Sequence, residues 1–325
     1  MANDPPSDEP PPAPFGVPEL LELVAGARRV LDVGCGSGRL TVALARAVAE
    51  VTGMDTSADR LAHAVRLAEK AGVQFTLVEA DMEEPLPFTD ASFDAVTSRL
   101  SLMIPRDAVP TLRELGRVLE PRGRIATVVW AALPENPWFD APREAVRAVL
   151  GDERASFARA FGRLGSPRDA ERAHRAAGFD DVEGRLLREH VVRADAAEHW
   201  RLLATENGHF RRIDAALGEH ERRALVAELE ARLAPYHADG GLELPRTLVL
   251  VTGRRPEYLR SSQRTARRAA PSDWPPSSTR AKRSPSRPTR SRTTSIVKEW
   301  MSSPGPTSSQ RSGVETGAPA LGRTE

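Results

Sequence analysis

The stretch that decides the fold reads Val30-Leu31-Asp32-Val33-Gly34-Cys35-Gly36-Ser37-Gly38-Arg39-Leu40. The pattern predicts an apolar strand ending in an acid, a turn of three glycines alternating with small residues, and an amphipathic helix over residues 39–48. Glycine has no Cβ and tolerates positive φ, so a ligand can lie against the bare backbone of such a turn. The helix points the positive end of its dipole at the same place. We therefore expect a binding site at this strand-to-helix turn.

The spacing of the glycines separates two classes of ligand. The dinucleotide fingerprint is G-x-G-x-x-G, whereas the third glycine of this turn, Gly38, comes one residue early. An acid beside the turn, Asp32, also suits a pyrophosphate poorly. A nicotinamide-dependent reductase is therefore disfavoured. For this string alone, a tight turn that binds nothing stays open as the alternative.

Two further acids follow predicted strands of the same sheet. Asp55 ends the run Val51-Thr52-Gly53-Met54-Asp55, and Asp81 follows an apolar strand at residues 73–78. Parallel strands end on one edge, so Asp55 is expected near the glycine turn, where it accepts from ribose hydroxyls. Its alternative role is a helix N-cap for the segment that starts near Ser57. Asp81 suits an exocyclic amine, and Met82 suits a purine face or the core.

These motifs, with Leu86-Pro87-Phe88-Thr89-Asp90-Ala91-Ser92-Phe93-Asp94 and residues 112–129, resemble class I S-adenosylmethionine-dependent methyltransferases. The similarity is greatest to the small-molecule branch of the ubiquinone/menaquinone-biosynthesis type. It extends over roughly residues 20–256 and is more specific in the N-terminal half. The resemblance implies S-adenosyl-L-methionine as the cofactor, a small-molecule acceptor and a Rossmann-like fold. Nucleic acid is an unlikely partner, and the oligomeric state stays open.

Carried over by position, the resemblance implies twelve cofactor-binding residues. They are Asp32, Gly34, Cys35, Gly36, Gly38, Met54, Asp55, Thr56, Asp81, Met82, Ser98 and Arg99. The glycine turn would line the methionyl part of the cofactor, with Asp32 beneath it and near its amino group. Asp55 would take the ribose hydroxyls, Met54 or Thr56 would flank the adenine, and the pair at 81–82 would hold its edge and face.

The resemblance places Ser98 and Arg99 beside the sulfonium. Arg99 departs from the small, polar or histidine residue that is typical there, because a cation beside a sulfonium is unfavourable. Two interpretations follow: Arg99 contacts an anionic group of the substrate, or it is a surface residue at a helix start. The second is favoured.

Strand and helix signals alternate from residue 18 to a fifth strand at residues 124–130, and two further strand patterns follow at residues 182–192 and 244–252. Together they predict a doubly wound, mostly parallel seven-stranded α/β sheet. Residues 1–17 are predicted to be a disordered Pro-rich arm, 18–257 the methyltransferase domain and 258–325 a disordered basic tail. Helices at about 134–165 and 194–235 follow the fifth strand. The resemblance implies that they form a lid over the substrate, and additional helical mass is the alternative.

Composition excludes several functions. The single cysteine, Cys35, rules out an intramolecular disulfide and a zinc ribbon, and it is expected to be a small loop residue, not a nucleophile. Aromatic residues make up only 5%, which argues against a stacking-based binder of single-stranded nucleic acid. The start is acidic and proline-rich, unlike a signal peptide, and no apolar run reaches ~20 residues. We expect a cytoplasmic protein.

The sequence names no catalytic residue. Methyl transfer from a sulfonium relies largely on alignment, and a base is needed only where the acceptor keeps its proton. Candidate bases outside any motif are His190, His199, His209 and His237, and candidate walls of an acceptor pocket are Trp138 and Phe139. The alternative to an enzyme is a non-catalytic protein that binds S-adenosylmethionine and acts in regulation or assembly.

The C-terminal segment differs from the rest in charge. Residues 261–325 contain 12 Lys/Arg and 4 Asp/Glu, whereas residues 1–260 contain 34 and 41. The segment is rich in Ser, Pro, Thr and Arg and cannot bury enough apolar surface to offset its ordering entropy. A solvated extension is the favoured interpretation. Contact with an anionic surface and a shifted reading frame are the alternatives.

Truncation after Arg260 tests this prediction. The melting temperature of the truncated protein should match that of the full chain, because a disordered tail stabilises nothing. Paired thermal unfolding curves measure it. A large fall in the melting temperature would show that the tail packs on the folded domain.

Overall fold

The computed structural model describes residues 14–155 and 161–257. The predicted tail, and all but the last residues of the predicted arm, lie outside these ranges. The strands are β1 (Arg29–Val33), β2 (Glu50–Asp55), β3 (Thr76–Glu79), β4 (Phe93–Arg99), β5 (Leu119–Trp130), β6 (Asp180–Arg193), β7 (His237–Ala238) and β8 (Gly241–Arg254). The helices are α1 (Val17–Leu23), α2 (Arg39–Ala47), α3 (Ala58–Ala71), α4 (Ala108–Val118), α5 (Pro137–Leu150), α6 (Asp152–Ala155), α7 (Pro167–Ala177), α8 (Ala196–Glu206), α9 (Gly208–Ala215) and α10 (Glu219–Leu233).

All eight strands belong to one sheet, in the order β3-β2-β1-β4-β5-β8-β6, with β7 paired to β8. Strands β1 to β5 are parallel, and β8 runs antiparallel to both β5 and β6. The predicted doubly wound, mostly parallel sheet is confirmed. The eighth strand, β7, has two residues and is too short to give a periodic signal in the sequence. Strand order reverses at β1, which lies between β2 and β4 and so marks the switch point where such sheets bind ligands.

The sheet separates two hydrophobic cores. Helices α1, α2 and α3 cover one face, where Leu20, Leu40 and Ala64 are buried. Helices α4 and α7 cover the other, where Leu112 and Ala173 are buried. Strands covered on both faces must be apolar on both, which explains the continuous apolar runs of β1 and β5.

A third core lies beyond the end of β5. Pairing of β5 with β8 stops at Trp130–Leu248, but β8 continues to pair with β6 as far as Leu242–Arg193. Helices α5, α8, α9 and α10 pack around this extension, with Leu242 and Leu244 buried among their apolar side chains. The helices that the resemblance implies to be a lid therefore share a core of their own, beside the carboxyl edge of the sheet.

Two local differences from the sequence predictions have physical causes. The third strand begins at Thr76, not Val73, because Gly72 takes φ +65° and the amide of Val73 donates to the carbonyl of Ala68, which closes α3 with a Schellman-type turn. The folded part begins before residue 18, because Val17 is fully buried and Phe15 packs against the core that α1, α2 and α3 cover.

His174 joins α7 to the sheet inside the α4–α7 core. Its Nδ1 donates to the carbonyl of Ala170 at 2.8 Å, and its Nε2 accepts from the hydroxyl of Thr127 at 3.2 Å. The ring is fully buried, and burial lowers the pKa of His174 to about 4. The imidazole is therefore neutral in the folded protein at pH 7 and serves as a structural hydrogen-bond bridge.

This depressed pKa predicts acid sensitivity. Between pH 6.5 and 4 the unfolded chain binds a proton at residue 174 that the folded chain does not, so stability is lost as pH falls through this window. Relative to His174→Gln, the wild type should lose about 2 kcal/mol more unfolding free energy between pH 7 and pH 5. Urea unfolding at both pH values measures it. Parallel pH profiles for the two proteins would show that His174 takes up its proton equally in the folded and the unfolded chain, so that burial does not lower its pKa.

Candidate functional site

A cavity of about 450 Å³ opens at the carboxyl ends of β1, β2 and β4. Ten of the twelve residues predicted from the sequence line it. They are Asp32, Gly34, Cys35, Gly36, Met54, Asp55, Thr56, Asp81, Met82 and Arg99. Its volume falls in the range of pockets for ligands of a few hundred daltons. The structure thus brings residues from four separate segments of the sequence to one site, at the switch point of the sheet.

Gly38 and Ser98 do not line the cavity. Gly38 is the N-cap of α2, at φ +83°, and a Cβ there would lie 2.8 Å from the Cβ of Ala64. Glycine is therefore needed at position 38 for the close packing of α2 on α3. Ser98 is fully buried, and its hydroxyl shares a hydrogen bond with that of Ser101 beneath the turn. Both residues therefore contribute to the packing around the glycine turn and do not face the cavity.

Asp55 ties the glycine turn to the end of β2. Its Oδ2 accepts from the amide of Gly36 at 2.9 Å, and its Oδ1 accepts from the amide of Ser57 at 3.0 Å. The alternative role of Asp55 as an N-cap is wrong, because the N-cap of α3 is Ser57, whose hydroxyl accepts from the amide of Arg60. Asp55 is 8% exposed and lines the cavity. Each carboxylate oxygen keeps a second lone pair for a ligand hydroxyl.

Asp32 lies at the floor of the cavity and is almost fully buried. It accepts hydrogen bonds from the hydroxyls of Thr41 on α2, at 2.7 Å, and Thr97 on β4, at 3.4 Å. Burial raises the pKa of Asp32 to about 6, against the opposing effect of these two hydroxyls and of the Arg99 charge. Asp32 thus joins β1 to α2 and β4.

The thiol of Cys35 is unsuited to nucleophilic chemistry. Burial raises its pKa well above the usual range, and the negative charges of Asp32 and Asp55 raise it further. The thiolate is the reactive species, so a protonated, buried thiol is inert. This agrees with the expectation that Cys35 is a small loop residue.

Arg99 is the last residue of β4, and α4 begins nine residues later at Ala108. The favoured sequence interpretation, a surface residue at a helix start, is therefore wrong. Arg99 is half-buried and lines the cavity, and its Nε donates to the carbonyl of Phe15 at 3.0 Å. Burial lowers its pKa, and the charges of Arg246 and Arg39 lower it further.

Sequence reasoning missed the segment that follows Arg99. Leu100, Ser101, Ile104 and Pro105 also line the cavity. Ser101 donates to the carbonyl of Val33 at 2.8 Å, and Leu100 takes φ +62°, which is uncommon for a leucine. Their place directly after a predicted parallel strand was the available signal, but their residue types carry none.

The adenine end predicted from the sequence is more open. Asp81 is exposed, and its Oδ1 accepts from the amide of Glu83 at 2.9 Å, so it shapes the turn after β3. Met82 is half-buried beside it and contacts the α4–α7 core. Both side chains reach the cavity, so their predicted contacts with a purine are sterically open.

None of the candidate histidines lines the cavity. His199 is buried in the third core, where its Nε2 donates to the carbonyl of Trp138 at 2.7 Å and burial lowers its pKa to about 4. His190 is an exposed residue of β6, His209 lies near the carbonyl of Arg154, and His237 pairs with Glu230. Over residues 14–155 and 161–257, no group of three His, Cys, Asp or Glu side chains could hold a metal ion.

Trp138 and Phe139 are likewise outside the lining of the cavity. Phe139 is buried in the third core, where its ring packs against that of Phe210. Trp138 is half-buried and lies 5.1 Å from the Trp130 ring, at the end of β5. In the part of the chain that the structure describes, no helix is long and apolar enough to cross a bilayer.

Comparison with known proteins agrees with this geometry. Residues 30–123, from β1 into β5, match a family described as "Methyltransferase domain". The chain is 36% identical over 112 residues to an uncharacterised methyltransferase, YcgJ, of Bacillus subtilis, covering 34% of this chain and 44% of that protein. It is 38% identical over 118 residues to a demethylmenaquinone methyltransferase of Thermus thermophilus, covering 36% and 53%. The chain thus spans about half the length of these curated relatives.

Solved structures show the same fold over a longer stretch. The crystal structure of YcgJ from Bacillus subtilis superposes with a TM-score of 0.51 at 19% identity, covering 74% of this chain and 98% of YcgJ. A putative methyltransferase from Bacillus halodurans gives 0.52 at 23% identity, covering 74% and 99%. Sheet order, glycine turn and matched segment agree: residues 30–123 match a methyltransferase domain, and the chain shares the fold of these two structures.

Proposed function

We propose that this protein transfers the methyl group of S-adenosyl-L-methionine to a small-molecule acceptor. The observation that carries the proposal is the cavity at the switch point, where the glycine turn, Asp55 and the segment at 81–82 meet. The match of residues 30–123 to a methyltransferase domain supports it. The relative from Thermus thermophilus, named for a demethylated menaquinone, supports a small molecule as the acceptor.

The geometry of two glycines tests whether the cofactor fits. A Cβ at Gly36 (φ +56°) would meet no atom within 4 Å, so the cavity stays open above that residue. A Cβ at Gly34 (φ +68°) would lie 2.3 Å from the Cβ of Ser101. Packing of the protein itself thus requires glycine at 34, whereas at 36 a side chain would occupy only the space offered to a ligand. The turn fits a ligand held against its backbone.

The charges of the lining also fit the cofactor. Asp32, Asp55, Asp81 and Glu83 all line the cavity. Carboxylates suit the ribose hydroxyls and the positive sulfonium and ammonium groups of S-adenosylmethionine. We assign the ribose to Asp55, the amino group to the side of Asp32, and the adenine to Asp81 and Met82. When bound, the cofactor supplies an electrophilic methyl group on a good leaving group.

The chain's own residues then contribute alignment and exclusion of water. A bound and oriented acceptor gains most of the achievable rate from proximity. No histidine of the described residues lines the cavity, and the oxygens of Asp32 are engaged by two threonine hydroxyls. The proposal therefore includes an acceptor whose nucleophilic atom is already ionised or activated near neutral pH.

The same absence of a cavity-lining histidine among the described residues favours one alternative. A non-catalytic protein that binds S-adenosylmethionine, in regulation or assembly, needs the cofactor contacts and no base. Both functions require binding, and only turnover separates them.

The first experiment is calorimetric titration of the full chain with S-adenosylmethionine and S-adenosylhomocysteine. Micromolar binding of both is expected. Incubation with radiolabelled S-adenosylmethionine and a panel of phenols, carboxylic acids and amines then measures transfer. Binding without transfer to any acceptor would favour the non-catalytic alternative, and a folded protein that binds neither ligand would end both proposals.

Asp55→Asn should weaken binding of S-adenosylhomocysteine by roughly 5- to 150-fold, or about 1–3 kcal/mol, because a charge-assisted acceptor of the ribose hydroxyls is lost. Asp59→Asn, the same change at an exposed position of α3, is the matched control and should leave the affinity unchanged. Calorimetry measures both. Equal affinity of a folded Asp55→Asn and the wild type would remove Asp55 from the site.

The two glycines should separate folding from binding. Gly34→Ala should lower the unfolding free energy by at least about 2 kcal/mol through the Ser101 clash and the positive φ. Gly36→Ala should cost only about 1–2 kcal/mol from its φ, and Gly36→Val should abolish ligand binding. Urea unfolding without ligand and calorimetry on the folded variants measure these effects. Undiminished binding by Gly36→Val would show that the ligand does not lie over the turn.

A further inference from the structure

Arg99 and Asp55 lie on opposite sides of the glycine turn. Strand β1 pairs with β2 on one side and with β4 on the other, and the two residues end those flanking strands. If the nucleoside occupies the Asp55 side, as proposed above, Arg99 faces the end of the cavity left for the acceptor. Leu100 and Ile104 line the same end, and Ile104 is 57% exposed.

The guanidinium of Arg99 is fixed but not neutralised. Its Nε donates to the carbonyl of Phe15, which sets the plane of the group. Within residues 14–155 and 161–257, its two terminal amino groups form no hydrogen bond and no carboxylate lies within ion-pair distance. Both amino groups are therefore left to present parallel N–H donors, which match a carboxylate or phosphate.

The surroundings of Arg99 carry charges of both signs. Arg39 also lines the cavity and Arg246 lies close enough to repel Arg99, whereas the carboxylates of Asp32 and Glu189 act on it favourably without pairing with it. Arg246 itself is compensated, because it pairs with Glu189 at 3.0 Å and lies within 5.2–5.7 Å of the rings of Phe15, Trp130 and Trp138. A half-buried cation that forms no ion pair costs free energy, which an anionic ligand would recover.

We propose that Arg99 binds an anionic group, a carboxylate or a phosphate, of the methyl acceptor. The inference rests on the proposed function and defines its substrate class: a small molecule with an apolar body beside Leu100 and Ile104 and an anion at Arg99. Such an anion would also lie between Arg99 and the sulfonium and screen their repulsion. A cation at this position would then serve acceptor specificity and leave the transfer step itself unhindered.

The test uses the full chain saturated with S-adenosylhomocysteine and two probes of equal shape, benzoate and its uncharged analogue benzamide. Thermal unfolding at millimolar probe should show a higher melting temperature with benzoate than with benzamide. Arg99→Gln should lose this difference, and Arg99→Lys should keep a smaller one because it retains charge but not the paired donors. Arg106→Gln, the same change at an exposed residue outside the cavity, is the matched control and should behave as the wild type.

Equal shifts from the two probes, no benzoate shift in the wild type, or an undiminished benzoate shift in Arg99→Gln would overturn the proposal. Far-UV circular dichroism confirms folding of each variant. If Arg99→Gln does not fold without its contact to Phe15, Arg99→Lys decides, and an undiminished benzoate shift in it counts against the proposal.

A second comparison distinguishes the acceptor's anion from the carboxylate of the cofactor. 5′-Methylthioadenosine has the nucleoside and the thioether but lacks the amino acid. Arg99→Gln should bind it and S-adenosylhomocysteine as tightly as the wild type does. A tenfold loss confined to S-adenosylhomocysteine would place Arg99 on the cofactor carboxylate and overturn the assignment to the acceptor. A folded wild type that binds neither nucleoside would instead refute the proposed function, and this inference with it.

Discussion

The cavity depends on a glycine turn that is fastened from both neighbouring strands. At the end of β2, Asp55 accepts from the amide of Gly36, and two residues after the end of β4, Ser101 donates to the carbonyl of Val33. Beneath the turn, Asp32 accepts from hydroxyls on α2 and β4. A loop with three positive-φ glycines would otherwise be mobile. These hydrogen bonds fix the conformation of the turn, so that its backbone lines the cavity before any ligand binds.

The second half of the chain builds on the same sheet in a different way. Strands β6 and β8 are antiparallel and run past the end of β5, which gives α5 and α8 to α10 a scaffold beside the cavity. Trp130, at the end of β5, contacts the ring of Trp138 at the start of α5 and lies near Phe161. Arg163 donates to the carbonyls of Ile104 and Pro105, so the chain after α6 holds the loop that lines the cavity. Helices and cavity are thus connected by specific contacts.

The sequence was sufficient for the strand–helix alternation, the sheet class and most of the cavity lining. Periodicity and the glycine spacing depend on local chemistry, so residues such as Asp32 and Asp55 could be placed at one edge before any coordinates. It failed where a role is set by distant contacts. Gly38 is needed against Ala64 on another helix, Ser98 is turned inward, and Arg99 is held by a carbonyl 84 residues earlier in the chain. The residue pattern of one strand cannot reveal contacts with residues on distant segments of the chain.

The contact between Phe15 and Arg99 has a practical consequence for work on this protein. Within residues 14–16, Gly16 would crowd Leu248 if it carried a Cβ, and the carbonyl of Phe15 orients Arg99. An affinity tag or fusion partner joined directly before residue 14 would alter the packing around the Phe15 carbonyl and with it the position of Arg99. Cleavable tags with long linkers are the safer choice, and kinetic comparisons between preparations need the same N-terminus throughout.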